Sequence, residues 1–507
     1  VGGAHALGHR LRELGPLPSP SRREEIPVAI LGAGLAGLSA AWTLERAGLR
    51  DYALLELEDT PGGTARFGTG PVSPYPWAAH YVPVPPQSNR ALAALLEEVG
   101  AITGHDAAGA PVYAEDVLVR EPEERVFFRG EWYEGLVPRA GIEGEDAEAL
   151  HGFEARMRAF AGERDAAGRR AFDLPRRRSS PDPRWTGLDA LSFADWLERE
   201  GLRGERLRWF AEYGTRDDFG ATLGQTSAWA GIHYYAARLA SPESESADVL
   251  TWPEGNGRLV SHLAGRAGAR LRTRALVLDA TPRDGAVDVT WLDAARGETV
   301  LTRAEHVVCA LPRFLAARVI APWRERPPAF LKETVYVPWM VANLTLSDRP
   351  RSHGYPLCWD NVLYGSPSLG YVVATHQSGR DHGATVFTYY WPLIDDDPRR
   401  AREELLATNW ETWLARILAD LRRAHPGLDS LLERVDVYLW GHAMARPRPG
   451  FLWSQALRES ARPLGRIHFA HTDLSGMALC EEAQDWGVRA AEAVLRARGA
   501  AFASLVA

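Results

Sequence analysis

The residues whose types and spacing suggest chemistry first are glycines. Gly32-Ala33-Gly34-Leu35-Ala36-Gly37 is a G-x-G-x-x-G run. An apolar stretch, Ile26 to Leu31, precedes it, and a helical pattern, Leu35 to Ala47, follows. Glu56 comes 24 positions after Gly32, at the end of a second apolar stretch, Tyr52-Ala53-Leu54-Leu55. In that context the run predicts a dinucleotide cradle. Gly32 permits the tight turn, Gly34 lets a pyrophosphate reach the backbone, and Gly37 lets the helix pack on the strand. The free N–H groups at the helix start carry a partial positive charge toward the phosphates. Glu56 is placed to accept hydrogen bonds from ribose hydroxyls. The motif alone does not separate one dinucleotide from another.

The cradle needs a β-α-β unit, and the surrounding sequence supplies one. Residues 1–25 are rich in Gly, Pro and Arg and read as an extended N-terminal arm. Residues 71–86 read as a proline-rich loop, and 88–100 as a helix. The stretch 140–240 is mainly helical, with a capping box at Ser192-Phe193-Ala194-Asp195. Arg176-Arg177-Arg178 inside it reads as part of a solvated loop, with an anion site as the alternative. Strands return at 275–278, 287–291 and 306–310, and again within 340–346, 370–375 and 385–391. Helices follow at about 398–424, then a strand at 465–470 and a last helix at 481–498. Strand–helix units at both ends around a mixed middle imply an α/β protein with a discontinuous Rossmann-like domain and an inserted α+β substrate domain. The expected boundaries are 26–86, 250–325 and 455–507 for the first domain, and 87–249 and 326–454 for the second.

Composition excludes several classes. Of 507 residues, 58 are Lys or Arg, yet Lys332 is the sole lysine. A net charge of −8 argues against a general nucleic-acid binder. Cys309, Cys358 and Cys480 form no C-x-x-C pair, so no zinc or dithiol site is expected. No G-x-S-x-G, H-E-x-x-H or P-loop occurs. No apolar run reaches about 18 residues, so no transmembrane segment is expected. No signal peptide is visible. The chain begins at Val1, which leaves room for an upstream leader; a soluble protein, cytoplasmic or exported, is the expectation.

Five segments together resemble the flavin amine oxidase superfamily, whose relatives include protoporphyrinogen oxidases and carotenoid desaturases. They are Pro61-Gly62-Gly63-Thr64-Ala65-Arg66; Ala79-His80-Tyr81-Val82; Trp252 to Leu259, followed by the strand around Leu276; Val307 to Pro312; and Gly465 to Asp473 with Gly487-Val488-Arg489. The resemblance implies FAD as cofactor. Gly62, Gly63 and Arg66 would line its phosphates, Leu276 would hold adenine, and Asp473 would bind the ribityl-pyrophosphate. It implies hydride transfer from a substrate C–H, an amine or polyamine, to flavin N5, with oxygen or another acceptor restoring the flavin. Two other readings stay open: a desaturase or porphyrinogen-type oxidase on a bulky apolar substrate, and a flavin-binding partner protein without turnover. For the substrate side the candidates are His80, His442, Tyr389 and Trp391. Tyr389 and Trp391 share one strand face. The lysine that many family members place near N5 falls at Val341 here. The two aromatic flanks of monoamine oxidases fall at Ala443 and Leu479.

Overall fold

The computed structural model describes residues 3–13, 15–244 and 248–506. Its first sheet has seven strands. Arg22–Leu31 lies at the centre, parallel to Tyr52–Leu55 on one side and to Glu298–Cys309 on the other. Leu271–Arg272 extends the sheet beyond Tyr52–Leu55. Ala286–Asp293 and Ala275–Arg283 continue it as an antiparallel meander, and Ile467–Phe469 pairs in parallel with Glu298–Cys309. Alternation divides the central strand between two cores. Val28 and Ile30 pack with Leu38 and Trp42 of helix Leu35–Arg46 and with Val494 of helix Cys480–Ala497. Ala29 and Leu31 face the opposite way, into a cluster with Val289, Trp291 and Trp323. A parallel sheet covered on both faces needs such near-continuous apolar strands.

The second sheet also has seven strands, in the order Leu432–Ala445, Tyr336–Leu346, Thr385–Pro392, Tyr371–Val373, Asp360–Leu363, Glu124–Phe128 and Glu131–Glu134. Helices Pro398–Ala407 and Trp410–Leu421 cover one face through Ala401, Leu405, Trp413 and Ile417. The other face, with Trp339, Val341 and Tyr390, turns toward the cavities described below. Helices Gly144–Gly162, Phe193–Arg199, Glu205–Phe219 and Ala228–Ala236 form a separate aromatic core around Phe153, Phe172, Phe193 and Trp229. Ser192 caps its helix as read from sequence: Oγ accepts the Asp195 N–H at 3.0 Å. The architecture is therefore α/β with two interleaved sheets.

Three local expectations are corrected. The N-terminal segment is not simply extended: His5–His9 and Arg10–Arg12 are helical, because Leu11 finds a place in the core beside Leu55 and Leu276. The central strand also begins within the arm, at Arg22. Arg176 is not a solvated loop residue. It is buried, donates from Nη1 to the Leu452 carbonyl at 2.7 Å and lies over the Trp453 ring. The long strand Leu432–Ala445 was not read from sequence; its partly exposed residues break the alternation of a half-buried strand.

Candidate active site

The glycine run closes as its residue types require. Gly32 has φ +95, which a residue with a side chain rarely adopts. A Cβ on Gly37 would stand 1.9 Å from the Gly32 carbonyl oxygen, so helix and strand approach only without one. A Cβ on Gly34 would meet nothing within 4 Å, so this backbone faces open space. That space is a cleft of about 320 Å³. Gly32, Gly34, Glu56, Gly62, Gly63, Arg66, Leu276, His442 and Asp473 all line it. Gly37 stands behind the wall as the packing contact.

The charged groups in the cleft are held by the backbone around them. Glu56 is buried; Oε2 accepts the Ala33 N–H at 2.7 Å and Oε1 the Glu58 N–H at 3.0 Å. Burial pushes its carboxyl up from the ordinary value. Arg66 is buried beneath the rings of Tyr438 and Trp440, 5.2 and 5.4 Å from their centroids. It pairs with Glu58 at 3.3 Å and donates to the Tyr438 hydroxyl. Asp473 accepts the Arg313 N–H at 2.8 Å and the Tyr336 hydroxyl, and pairs with His471 at 3.1 Å. Burial works to raise its carboxyl, but His471 and these donors hold it below the ordinary value. His442 stacks on Phe314 at 4.2 Å, and burial, with the nearby charge of Arg402, lowers it to about 4. It is a neutral ring at physiological pH.

An inner chamber of about 110 Å³ adjoins the cleft. Ala79, Asn256, Trp440, Ala443, Leu479 and Cys480 line both. Its aromatic walls are His80, Tyr81, Trp339, Tyr390 and Trp440. Trp339 and Trp440 are register partners on adjacent strands, which sets them side by side. The Tyr390 hydroxyl donates to the Ala78 carbonyl at 2.9 Å, and His80 lies against the Tyr390 ring at 4.8 Å. Burial lowers His80 to about 4, so it too is neutral. Beyond His80, Tyr81, Asp217, Arg238 and Tyr390, which the two spaces share, an outer chamber of about 650 Å³ opens. Ala443 and Leu479 do stand at the inner boundary, but Tyr390, Trp440 and Trp339 supply aromatic walls from other positions.

Carboxylates line this passage. Asp218 is neutralised by Arg238, whose Nη2 reaches its oxygens at 2.8 and 2.6 Å. Asp217, Asp360, Glu124 and Glu481 have no cationic ion-pair partner of this kind among the described residues. Asp360 takes the Tyr213 hydroxyl at 2.9 Å, and Asp217 the Tyr81 hydroxyl at 3.4 Å. Burial first, and neighbouring acids second, push Asp360 and Glu124 up to about 7 and raise Asp217 strongly. A cluster of this kind is destabilised by its own repulsion and is relieved by a cation placed within it.

Tyr389 and Trp391 do not reach these cavities. They share a face, as alternation requires, but it is the face covered by helices. Tyr389 Oη donates to buried Asp420 at 2.9 Å, and Trp391 meets Trp413 edge-on at 5.9 Å. The cavity-facing residue on the strand is Tyr390, between them. Asp217, Asp218, Arg238, Trp339, Trp440 and Glu481 were not read from sequence. The acidic pairs Asp217-Asp218 and Glu481-Glu482, inside helices with many buried residues, were the available signal. Lys332 is exposed and lines none of the three spaces, while Val341 is fully buried beside Trp339 and Tyr390.

The NAD(P)-binding Rossmann-like domain model matches residues 30–99, which hold the cradle, Glu56 and the Pro61–Arg66 turn. Wild-type putrescine oxidase bound to putrescine superposes with a TM-score of 0.68 at 20% identity, over 94% of this chain and 100% of that one. The chain has the flavin amine oxidase fold. Cyclohexylamine oxidase from Brevibacterium oxydans IH-35A shares this flavin amine oxidase fold at a TM-score of 0.65 and 16% identity, over 94% of this chain and 100% of the other. A CLA-producing fatty acid isomerase from P. acnes follows at 0.62 and 16%, over 93% and 98%. No curated protein matches the chain in sequence. Among the described residues, no helix is long and apolar enough to cross a membrane, and no group of His, Cys, Asp and Glu could hold a metal ion.

Proposed function

We propose that the protein is an FAD-dependent oxidoreductase that oxidises the C–H bond beside the nitrogen of a cationic amine. The observation that carries this reading is the acid-lined, aromatic-walled passage that adjoins the glycine cleft. The cleft's residues fit FAD. Gly34 leaves the space a pyrophosphate needs, beside the free N–H groups of helix Leu35–Arg46. Glu56 has lone pairs left for ribose hydroxyls, the strand at Ala275, Leu276 and Val277 lines the cleft for adenine, and Asp473 and Arg66 offer an acceptor and a donor to the chain between. When bound, FAD supplies a hydride acceptor at N5 and is restored by oxygen or another electron acceptor.

The chain's own residues perform the rest. Asp217, Asp360 and Glu124 draw an ammonium inward and compensate part of its lost hydration. Tyr81, Trp339, Tyr390 and Trp440 exclude water from the inner chamber and offer ring faces to a cation. His80, neutral and set against Tyr390, is a wall and a hydrogen-bonding group rather than a charge. An apolar desaturase substrate would leave these carboxylates without a cationic partner, which disfavours that alternative. A partner protein without turnover would not need a substrate-sized passage at all.

The absorption spectrum of the purified protein, taken before and after denaturation, tests for FAD and for its covalent attachment. Anaerobic mixing with primary amines, secondary amines and polyamines then tests the reaction. Bleaching of the flavin by at least one of them is expected; no bleaching by any of them would overturn the reading.

A further inference from the structure

Helix Cys480–Ala497 begins with two acids, and one of them is set apart by its surroundings. Glu481 is 2% exposed, and its Oε1 has no hydrogen-bond partner. It lines the inner chamber together with Tyr390, Trp440 and Ala443. Its chain neighbours Ala478, Leu479 and Cys480 line both that chamber and the cleft. Glu481 therefore follows directly on the segment that lines both spaces. Glu482 also has one unpartnered oxygen, Oε2, but its other oxygen accepts the Arg176 N–H and it lines neither chamber, so only Glu481 presents its carboxylate to the cavity.

A buried carboxylate oxygen without a partner costs free energy in the resting fold. An arrangement that keeps one beside a small cavity is explained when the cavity's ligand supplies the missing donor. The amine reading adds a chemical requirement. An ammonium has no lone pair on nitrogen, and hydride leaves the adjacent carbon readily only when that lone pair is free. A proton must first move from nitrogen to an acceptor. The sole lysine is on the surface, and His80 and His442 are lowered to about 4, which makes them weak acceptors.

Resting on that reading, we infer that Glu481 accepts the proton of the substrate ammonium. In the step, the N–H bond breaks, the O–H bond of Glu481 forms, and the electron pair stays on nitrogen. Ammonium and carboxylate become neutral amine and carboxylic acid, and no electron leaves the pair. Several titratable groups face Glu481. Asp218, ion-paired with Arg238, comes from the helical layer; Tyr81 comes from strand Tyr81–Pro83; Cys480 and Glu482 belong to its own helix. Burial raises Glu481 to about 7, Asp218 adds to the rise, and Arg238 opposes it. That value lies closer to an amine's than an ordinary carboxylate's does, which suits a proton acceptor working near neutrality. Asp217 and Asp218 are the other acids of the inner chamber; Asp218 is ion-paired with Arg238, and Asp217 also lines the outer chamber and shares the Tyr81 hydroxyl with Asp218. Asp217 is suited to attracting the cation rather than to relieving it of a proton.

The test is the pH profile of flavin reduction by an amine that bleaches the wild-type holoenzyme, measured anaerobically for wild type, Glu481→Gln, Glu481→Asp and Glu481→Ala. The wild-type limiting rate should rise with pH through an inflection near 7. Glu481→Gln should lower that rate by about 10²–10⁴ and remove the inflection, with a smaller change in substrate Kd. Glu481→Asp should restore part of the rate and keep an inflection. A Gln variant within about threefold of wild type and with the same inflection would overturn the inference while leaving the amine reading intact. A Glu481→Ala variant with the rate and profile of wild type would do the same, and would decide the matter if the Gln variant did not fold. If no amine bleaches the wild type, the amine reading fails first, and Glu481's role falls with it.

Discussion

Two alanine substitutions in the glycine run separate cofactor binding from folding. At Gly34 the backbone has φ −68 and ψ 175, an extended conformation open to any residue. Its Cβ would meet nothing within 4 Å. Gly34→Ala should therefore leave the cofactor-free fold unharmed, or stabilise it by about 0.5 kcal/mol through a less flexible unfolded chain. If that open space receives the pyrophosphate, the methyl group stands where phosphate oxygens approach. Loss of one charged hydrogen bond, about 1.5–3 kcal/mol, then weakens FAD binding on the order of ten- to a hundredfold. Gly37→Ala behaves differently. Its Cβ would lie 1.9 Å from the Gly32 carbonyl oxygen and 3.1 Å from the carbonyl carbon, both backbone atoms with little freedom to move. The helix must shift, which costs at least about 1–3 kcal/mol of overpacking. Denaturant unfolding of the cofactor-free proteins and FAD titration followed by flavin fluorescence measure both quantities. A Gly34→Ala protein that binds FAD as tightly as wild type would refute the placement of the pyrophosphate. A Gly37→Ala protein as stable as wild type would refute the packing argument.

Other consequences follow from burial and charge. Val341→Lys should destabilise the protein by at least about 3 kcal/mol, because Val341 is fully buried among apolar groups; a raised flavin reduction rate with unchanged stability would contradict this. Asp217→Asn should raise the KM for amines roughly tenfold without altering FAD affinity, measured by steady-state kinetics beside a flavin titration. Tyr389→Phe should cost about 1–2 kcal/mol in denaturant unfolding, by removing a donor from Asp420, and leave KM unchanged, whereas Tyr390→Ala should change KM. Glu124 is raised to about 7, first by burial and then by Glu123 and Asp217, so its native form holds a proton that its unfolded form releases near pH 4. Stability from this group is complete at low pH and is lost as pH rises from about 4 to 7. Glu124→Gln should gain on the order of 2 kcal/mol over wild type at pH 8 and nothing near pH 4, read from unfolding curves at both.

The cradle was legible because its residue types are dictated locally. A turn at φ +95, a helix pressed on a strand, and an acid at the next strand's end each leave one residue type few substitutes. The passage was not legible for the opposite reason. Asp217, Arg238, Trp339, Tyr390 and Glu481 lie on five separate segments, and only tertiary packing makes them neighbours. Alternation correctly placed Tyr389 and Trp391 on one face of their strand. It could not tell which face the helices cover, and the outcome turned on Trp413 and Asp420 far along the chain. Arg176 illustrates the same limit: three consecutive arginines look solvated until Trp453 and the Leu452 carbonyl are brought beside one of them. The single lysine, Lys332, is a surface residue, which composition alone could not say.

The most direct test of a cationic substrate is a matched pair. Flavin reduction is followed in anaerobic stopped flow with an amine that bleaches the holoenzyme and with the alcohol of the same carbon skeleton, across a range of salt concentrations. The amine should bleach the flavin with an apparent affinity that falls as salt rises, and the alcohol should leave the spectrum unchanged. Equal bleaching by the neutral partner, or bleaching by a bulky apolar substrate alone, would contradict the account.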